Sequence, residues 1–472
     1  MRHLVWIILQ DINLLILLYF LSINSFYLIT SLIAFRFLKK YAKRMKLFDA
    51  NEVVAITGSP PITLFAPAYN EEATCVHSIR SLLTLQYADY EIIVINDGSK
   101  DATMQTLIDA FELKAAHRYP IENVPTKTVK QIYWSAIHPN LWVIDKVNGG
   151  KADALNCGLN YCSTPYFCAM DADSLLEPDA LSRIIRPFLE DERTIAAGGI
   201  IRIVNGCEVN GGMVTKIGLP EKLLPRLQVL EYLRAFLAGR MGWDALQATL
   251  IISGAFGIFR RSIVAEVGGY SIGTVGEDME LVVRLHRHCL ENKIPYRISF
   301  VPDPVAWTEC PEQRKILGRQ RERWQRGLVQ VLTRHRKMLM NPRYGRIGLL
   351  AYPFFFFLEM LGPIVEFSGY ILFIVALIFG SVTISYAVAF LMIAILLGVA
   401  LSIAAVGLEE LSFHRYPTTR DVLHLFWLAV IESFGYRQML TYYRLKGIIF
   451  AMRGVKSWGV MERQGFTQQV SK

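Results

Sequence analysis

The apolar residues of this chain are crowded toward its two ends, and that unevenness limits its fold more than any other feature. Residues 14–35 form a run of about the length needed to cross a bilayer. Past Arg346 the chain turns hydrophobic again, with candidate spans at 349–361, 364–379 and 387–406 and a weaker one at 422–435. Between these ends, roughly 50–345 reads like an ordinary globular protein. The overall balance of 53% hydrophobic and 19% charged residues over 472 positions is therefore an average of two regimes. A soluble body tethered at both ends is the architecture this pattern implies.

Charge gives the orientation. The cations Arg36, Lys39, Lys40, Lys43, Arg44 and Lys46 follow the first apolar run, the order of a signal anchor rather than of a cleaved leader. By the positive-inside rule the soluble body is cytoplasmic. Arg444, Lys446, Arg453, Lys456 and Arg463 place the tail on the same side, so an even number of crossings follows the body. Four is the preferred count. Gly362-Pro363 splits the first C-terminal block, and a short broken helix lying in the interface would give two. The expected layout is an anchor and basic segment (1–48), a catalytic domain (49–310), an amphipathic interfacial segment (311–346), a transmembrane region (347–445) and a tail (446–472) in a multi-pass cell-membrane protein.

A net charge of +9 raises the question of nucleic acid. The cations sit beside the membrane segments, and no recognition helix, zinc-finger spacing or stripe of stacking aromatics accompanies them. Nucleic acid is not an expected partner; anionic lipid is. The seven cysteines are odd in number and form no CxxC pair, which fits reduced, buried thiols.

Within the body, 62–67, 91–96, 141–144 and 166–170 read as buried strands. Segments 71–85, 101–111, 151–161 and 178–188 read as helices. That alternation predicts a mainly parallel, doubly wound α/β sheet, in which ligands bind at the carboxyl ends of the strands. The polar motifs fall there. The first strand runs into Ala66-Pro67-Ala68-Tyr69-Asn70-Glu71-Glu72 and the second into Asn96-Asp97-Gly98-Ser99. Tyr69 can stack on a base, and Glu71 and Asp97 can accept from ribose hydroxyls or a base N–H; the same residue types also serve as plain helix caps. Asn148-Gly149-Gly150-Lys151 opens another helix, where glycines admit a ligand and a lysine suits a diphosphate.

Asp171-Ala172-Asp173 ends the 166–170 strand. Two carboxylates in such a place call for a cation, and Mg²⁺ or Mn²⁺ carrying a nucleotide diphosphate is the natural one. Gly276-Glu277-Asp278 opens a helix with Leu281, Val282 and Leu285 on one face. A carboxylate there can take the proton of an attacking hydroxyl, or simply favour the helix dipole. Gln320, Arg323 and Trp324 recur at helical spacing in the basic stretch 312–346, so they share a face; a solvated basic helix on the membrane surface is the other reading.

Taken in order, these motifs resemble the family 2 glycosyltransferases, most closely the membrane synthases of cellulose, chitin, hyaluronan and poly-N-acetylglucosamine. The likeness covers roughly 50–345. It implies a GT-A fold, a UDP-sugar donor, a divalent metal and an inverting single displacement onto a growing β-linked polysaccharide, with export by the same membrane region. On this resemblance Ala66, Tyr69, Glu71, Asp97, Lys151 and Asp171 bind the donor, and Asp171 and Asp173 hold the metal. Asp278 is the general base. Gly254, Ala255, Phe256, Glu277, Gln320, Arg323 and Trp324 frame the acceptor and the diphosphate. Three departures stand out: Gly276 replaces a usual threonine, one N-terminal span stands where many relatives have two, and 114–142 and 204–246 are long and are assigned to shaping acceptor access. No cyclic-dinucleotide-binding domain follows the membrane region, which argues against that form of control. Two alternatives stay open: transfer of one sugar to a lipid-linked acceptor, and an inactive transporter or scaffold subunit. Export or accessory subunits are further expected partners.

Overall fold

Short apolar runs with buried side chains build the centre of a ten-stranded sheet in the computed structural model, which describes residues 2–45, 58–171, 174–378, 383–416 and 418–455. Strands β1 (Ile62–Ala68), β2 (Tyr90–Asn96), β3 (Leu113–Ala116), β4 (Val129–Ser135), β5 (Leu141–Lys146), β6 (Tyr166–Met170), β7 (Ser174–Leu176) and β8 (Thr194–Ile203) come first along the chain. A separate hairpin of β9 (Glu208–Asn210) and β10 (Met213–Lys216) follows, then β11 (Phe256–Arg260) and β12 (Arg297–Thr308). The sheet order is β3-β4-β5-β2-β1-β6-β11-β8-β12-β7. The core β5-β2-β1-β6 is parallel throughout, and β8 pairs with β12 in parallel. β11 runs antiparallel between β6 and β8, and β4 and β7 are antiparallel additions. The expected mainly parallel α/β sheet is therefore present as a mixed, mostly parallel one.

The described residues fall into two compact units. Lys40–Pro220 and Gln247–Cys310 make the α/β unit that holds the sheet; Met1–Lys39, Glu221–Leu246 and Pro311–Gly459 make a helical unit. Residues 221–246, expected in the catalytic domain, thus group with the helices.

In the α/β unit the helices that matter for the site are α2 (Cys75–Leu83), α3 (Thr103–Phe111), α4 (Lys151–Tyr161) and α5 (Glu277–Glu291). α4 is buried from Ala152 to Asn160. It comes this close to the sheet because Gly158 has no side chain: a Cβ there would meet the Phe65 ring at 3.0 Å. Phe65, Phe167 and Phe259 stack in series below it, with centroids 4.7 and 5.5 Å apart. α5 buries Leu281, Val282, Leu285 and Cys289 on one stripe and carries Glu277, Asp278 and Glu280 in its first turn, where the positive end of the helix favours carboxylates. All seven cysteines are free thiols and buried.

In the helical unit, α1 (Arg2–Met45) contains the stretch Asp11–Lys43, among the described residues the one single helix long and apolar enough to cross a membrane. Ile347–Met360 and Gly362–Ile378 pass the same length-and-polarity test only together, bent by 40° at the Gly362-Pro363 position foreseen as a break. Further helices cover Ile384–Leu391, Leu397–Ser412 and Thr419–Ile431. Helix α6 (Arg314–Arg334) packs on α7 (Tyr436–Met452) through glycines: a Cβ on Gly318 would strike the Tyr443 ring at 2.8 Å and one on Gly447 the Glu322 carbonyl at 2.6 Å.

Candidate active site

The parallel strands all end at one edge of the sheet, and the turns that leave this edge carry the candidate residues. β2 ends at Asn96, so Asp97 enters the first turn, 3% exposed. Its carboxylate accepts from Lys146 Nζ at 2.6 Å, Gly149 N at 2.9 Å and Gly150 N at 2.7 Å, and its carbonyl from Asn148 Nδ2 at 2.7 Å. Asp97 therefore ties the Asn148-Gly149-Gly150 turn to the end of β2. The backbone demands glycine at Gly98 and Gly150, whose φ values are +66° and +87°.

Lys146, the last residue of β5, is wholly buried and also lies 2.5 Å from Asp153 Oδ1. Burial acts against its charge, but the hydrogen bonds it donates to Asp153 and Asp97 outweigh that and hold its pKa above the usual lysine value. Asp153 also accepts from Lys127 N at 3.0 Å. Sequence reading passed over Lys146, because a lysine at a strand end is ordinarily solvated; the aspartates on either side of it in the fold are 56 positions apart and give no local signal.

Lys151 begins α4, set by this turn. Its ammonium pairs with Asp171 at the end of β6, donates to Gly254 O at 3.3 Å and lies 3.8 Å from Glu277 Oε1. Burial works against the Lys151 charge, yet the Asp171 and Glu277 carboxylates outweigh it and hold its pKa above the lysine range. Asp278 Oδ2 accepts from Gly254 N at 3.1 Å, and Oδ1 from Met279 N at 2.7 Å. Because β11 runs antiparallel to β6, Phe256 faces Met170 in register, which brings Gly254-Ala255-Phe256 to the same edge. Lys151, Asp171, Gly254, Glu277 and Asp278 thus form one polar cluster. Burial pushes the Glu277 carboxyl up to about 7, the nearby Lys151 charge pulling it back and that of Asp278 adding to the rise.

The other α/β-unit candidates sit beside or behind this cluster. Tyr69 is 44% exposed after β1, open to a stacking partner. Glu71 accepts from Thr74 Oγ1 at 2.6 Å, and its own N–H donates to Thr103 Oγ1 at 2.9 Å. Ala66 and Phe256 are buried, so any part they take is one of backbone and shape. Asp173, with Ala172, lies outside the described residues. Among the described residues no group of three or more His, Cys, Asp or Glu side chains is arranged as a metal cage.

In the helical unit, Gln320, Arg323 and Trp324 do fall on one helix, α6, at the spacing read from sequence. Between them stands Arg321, which sequence reading left out. It is 3% exposed, donates to Gln320 Oε1 at 2.6 Å and to Glu231 Oε2 at 2.9 Å, and lies 4.2 Å over the Trp324 ring.

The glycosyltransferase-like family 2 model matches residues 60–327, more than half of the chain. The protein is a member of that family. A chitin synthase model matches residues 272–429 of this family 2 chain. The poly-beta-1,6-N-acetyl-D-glucosamine synthase of Staphylococcus epidermidis is 28% identical over 318 residues, 67% of this chain and 66% of that protein. The enzyme of the same name from Staphylococcus aureus strain COL is 29% identical over 273 residues, 58% of this chain and 56% of that protein. The match thus spans less than two thirds of the length of these relatives. A Pyrobaculum calidifontis mannosyltransferase, solved in complex with GDP-Man and Mn²⁺, aligns over 91% of this chain and 98% of its own, with 16% identity and a TM-score of 0.48.

Proposed function

We propose that this family 2 glycosyltransferase moves a sugar, with inversion, from a UDP-sugar to the end of a growing β-linked polysaccharide. The reaction takes place at the cytoplasmic face of a multi-pass cell-membrane protein and is coupled to export. The names of the Staphylococcus relatives make UDP-N-acetylglucosamine the donor to test first and a poly-N-acetylglucosamine the product. The observation that carries the reading is the gathering of Lys151, Asp171, Gly254, Glu277 and Asp278 at the carboxyl edge of the sheet. A cation next to one carboxylate and across from another is what an anionic leaving group and a deprotonating base require.

In this reading the uridine stacks on Tyr69, with Glu71, Asp97 and the Ala66 backbone forming the rest of its seat. Lys151 turns from Asp171 toward the diphosphate. The donor set at the β6 end is all hard oxygen and fits a divalent ion held by Asp171 and Asp173 and completed by phosphate oxygens, with no closed protein cage needed. Such an ion would neutralise the charge that grows on the leaving UDP. Asp278 takes the proton of the acceptor hydroxyl while its oxygen bonds to the anomeric carbon from the face opposite UDP. The bond from that carbon to the phosphate oxygen breaks as the new one forms, and UDP leaves with the electron pair. In the α/β unit Gly254-Ala255-Phe256 and Glu277 face the acceptor and the diphosphate; in the helical unit the family resemblance gives Gln320, Arg323 and Trp324 of α6 a part in binding the same ligands. The long apolar α1 and the bent pair Ile347–Met360/Gly362–Ile378 support the membrane placement.

Purified full-length protein offered a panel of UDP-sugars tests this directly. UDP should be released with one or two of them, and Asp278→Asn should abolish transfer while UDP still binds. Equal transfer by wild type and Asp278→Asn would remove the base from the scheme.

A further inference from the structure

Trp324 can serve as a platform for a sugar only if its ring is held still, and the side chain that holds it is Arg321. The two stand three positions apart on α6, so the Arg321 stem lies beside the turn that carries Trp324. Its guanidinium lies 4.2 Å from the indole centroid, and Trp324 is still 40% exposed. One N–H of the same fork donates to Gln320 Oε1 at 2.6 Å. A second donates to Glu231 Oε2 at 2.9 Å, and that oxygen also accepts from Tyr436 Oη at 2.6 Å. Arg321 and Tyr436 are nearly inaccessible, at 3% and 5% exposure, and Glu231 is largely covered. A planar fork fixed at one end by a carboxylate has little freedom left for the groups it touches at the other.

We infer that Arg321, anchored by Glu231 and Tyr436, is a positioning residue that aims Gln320 and Trp324 at the acceptor. This rests on the reading that those two residues frame the acceptor. It also gives part of the long 204–246 stretch a role: the helix Leu223–Tyr232 supplies Glu231, the anion that fixes the aim of α6. An apolar residue at 321 could fill the same space, but it could neither grip Gln320 nor face the indole with a flat cation.

The experiment uses the full chain in lipid nanodiscs with UDP-N-acetylglucosamine. It measures UDP release without acceptor, sugar transfer with a chito-oligosaccharide, the melting temperature, and the ¹⁹F spectrum of 5-fluorotryptophan-labelled protein in which Trp324→Phe assigns the Trp324 signal. Arg321→Lys keeps the charge but loses the planar fork. Transfer should therefore fall about ten-fold more than acceptor-free UDP release, with a raised KM for acceptor, and the Trp324 signal alone should shift or broaden. Glu231→Gln should give the same split. If either variant fails to fold, Tyr436→Phe, which deletes one hydroxyl, should show it at about three-fold. Transfer and UDP release falling by one common factor, or an unmoved Trp324 signal, would overturn the inference. A wild-type protein that releases UDP from no UDP-sugar would instead refute the functional reading, and the fluorine spectrum would still decide whether Arg321 holds the ring.

Discussion

Replacing Lys146 by methionine removes the one cation shared by two buried carboxylates. Lys146 is 0% exposed, and the Asp97 and Asp153 side chains are 5% and 3% exposed. Breaking a buried ion pair from one side costs about 3–5 kcal/mol. Asp97 keeps its bonds from Gly149 N and Gly150 N, and Asp153 keeps Lys127 N, so the lower end, about 3 kcal/mol, applies. For a domain of this size each kcal/mol moves the melting point by roughly 2–4 °C, which gives a fall of about 6–12 °C. Differential scanning fluorimetry of the full chain at one fixed scan rate measures it. Lys216→Met, in an ion pair whose partners are 70% and 60% exposed, serves as the control and should move the midpoint by less than about 2 °C. Adding Asp153→Asn to Lys146→Met should restore part of the loss, since one stranded charge disappears with it. A Lys146→Met midpoint within about 2 °C of wild type would show instead that the two aspartates do not depend on their shared cation.

Other expectations follow from the same geometry. Gly254→Ala puts a Cβ 2.9 Å from Lys151 Nζ and 3.5 Å from Asp278 Oδ2, so transfer should drop about ten-fold with the melting point nearly kept; unaltered kinetics would mean the close approach is slack. His286 is buried, bridges Tyr296 Oη and Thr249 O at 2.8 Å each, and has its pKa lowered by burial to about 4 from 6.5. The folded state therefore keeps it neutral while the unfolded chain takes up a proton below pH 6.5, so stability is lost as pH falls through this window, by up to about 3 kcal/mol near pH 4. His286→Gln should flatten that part of the pH–melting curve, and a slope equal to wild type would show that the imidazole is not its source. Asp97→Asn should lower both the melting point and UDP affinity, because the same carboxylate fixes the Gly149-Gly150 turn; a change in affinity alone, measured by titration calorimetry, would count against the structural half of that claim.

How much of this was legible in the sequence depends on how local the signal was. β1, β2, β5 and β6 are short, largely apolar runs and are found within two residues of their expected bounds, and α4 lies at 151–161 as read because Gly150 marks its start. α2 begins at Cys75 rather than at 71: residues 72–74 form turns, and the N–H groups of Glu71 and Glu72 donate to Thr103 Oγ1 and Asp101 Oδ2. The 178–188 helix breaks into Ala180–Ile184 and Arg186–Glu190. β8 was missed because Ala196, Ala197, Gly198 and Gly199 dilute its β-branched character, and β12 because it contains Pro302 and Pro304, which sequence rules take as strand breakers. The chain absorbs these prolines in register shifts between Val301, Pro304 and Ala306. The acidic and glycine motifs at strand ends were legible for the same local reason. Lys146 and the Glu231–Arg321 pair were not, since their partners lie far apart in sequence and only tertiary packing joins them.

The most direct measurement follows UDP-N-acetylglucosamine and acceptor by proton NMR in the presence of the purified full-length protein and Mg²⁺. The α-anomeric donor signal should decay as free UDP appears, and a new anomeric signal should grow in with the large coupling of a β linkage. A product retaining the α configuration, or a donor left intact across the whole panel of UDP-sugars, would contradict inverting transfer from a UDP-sugar.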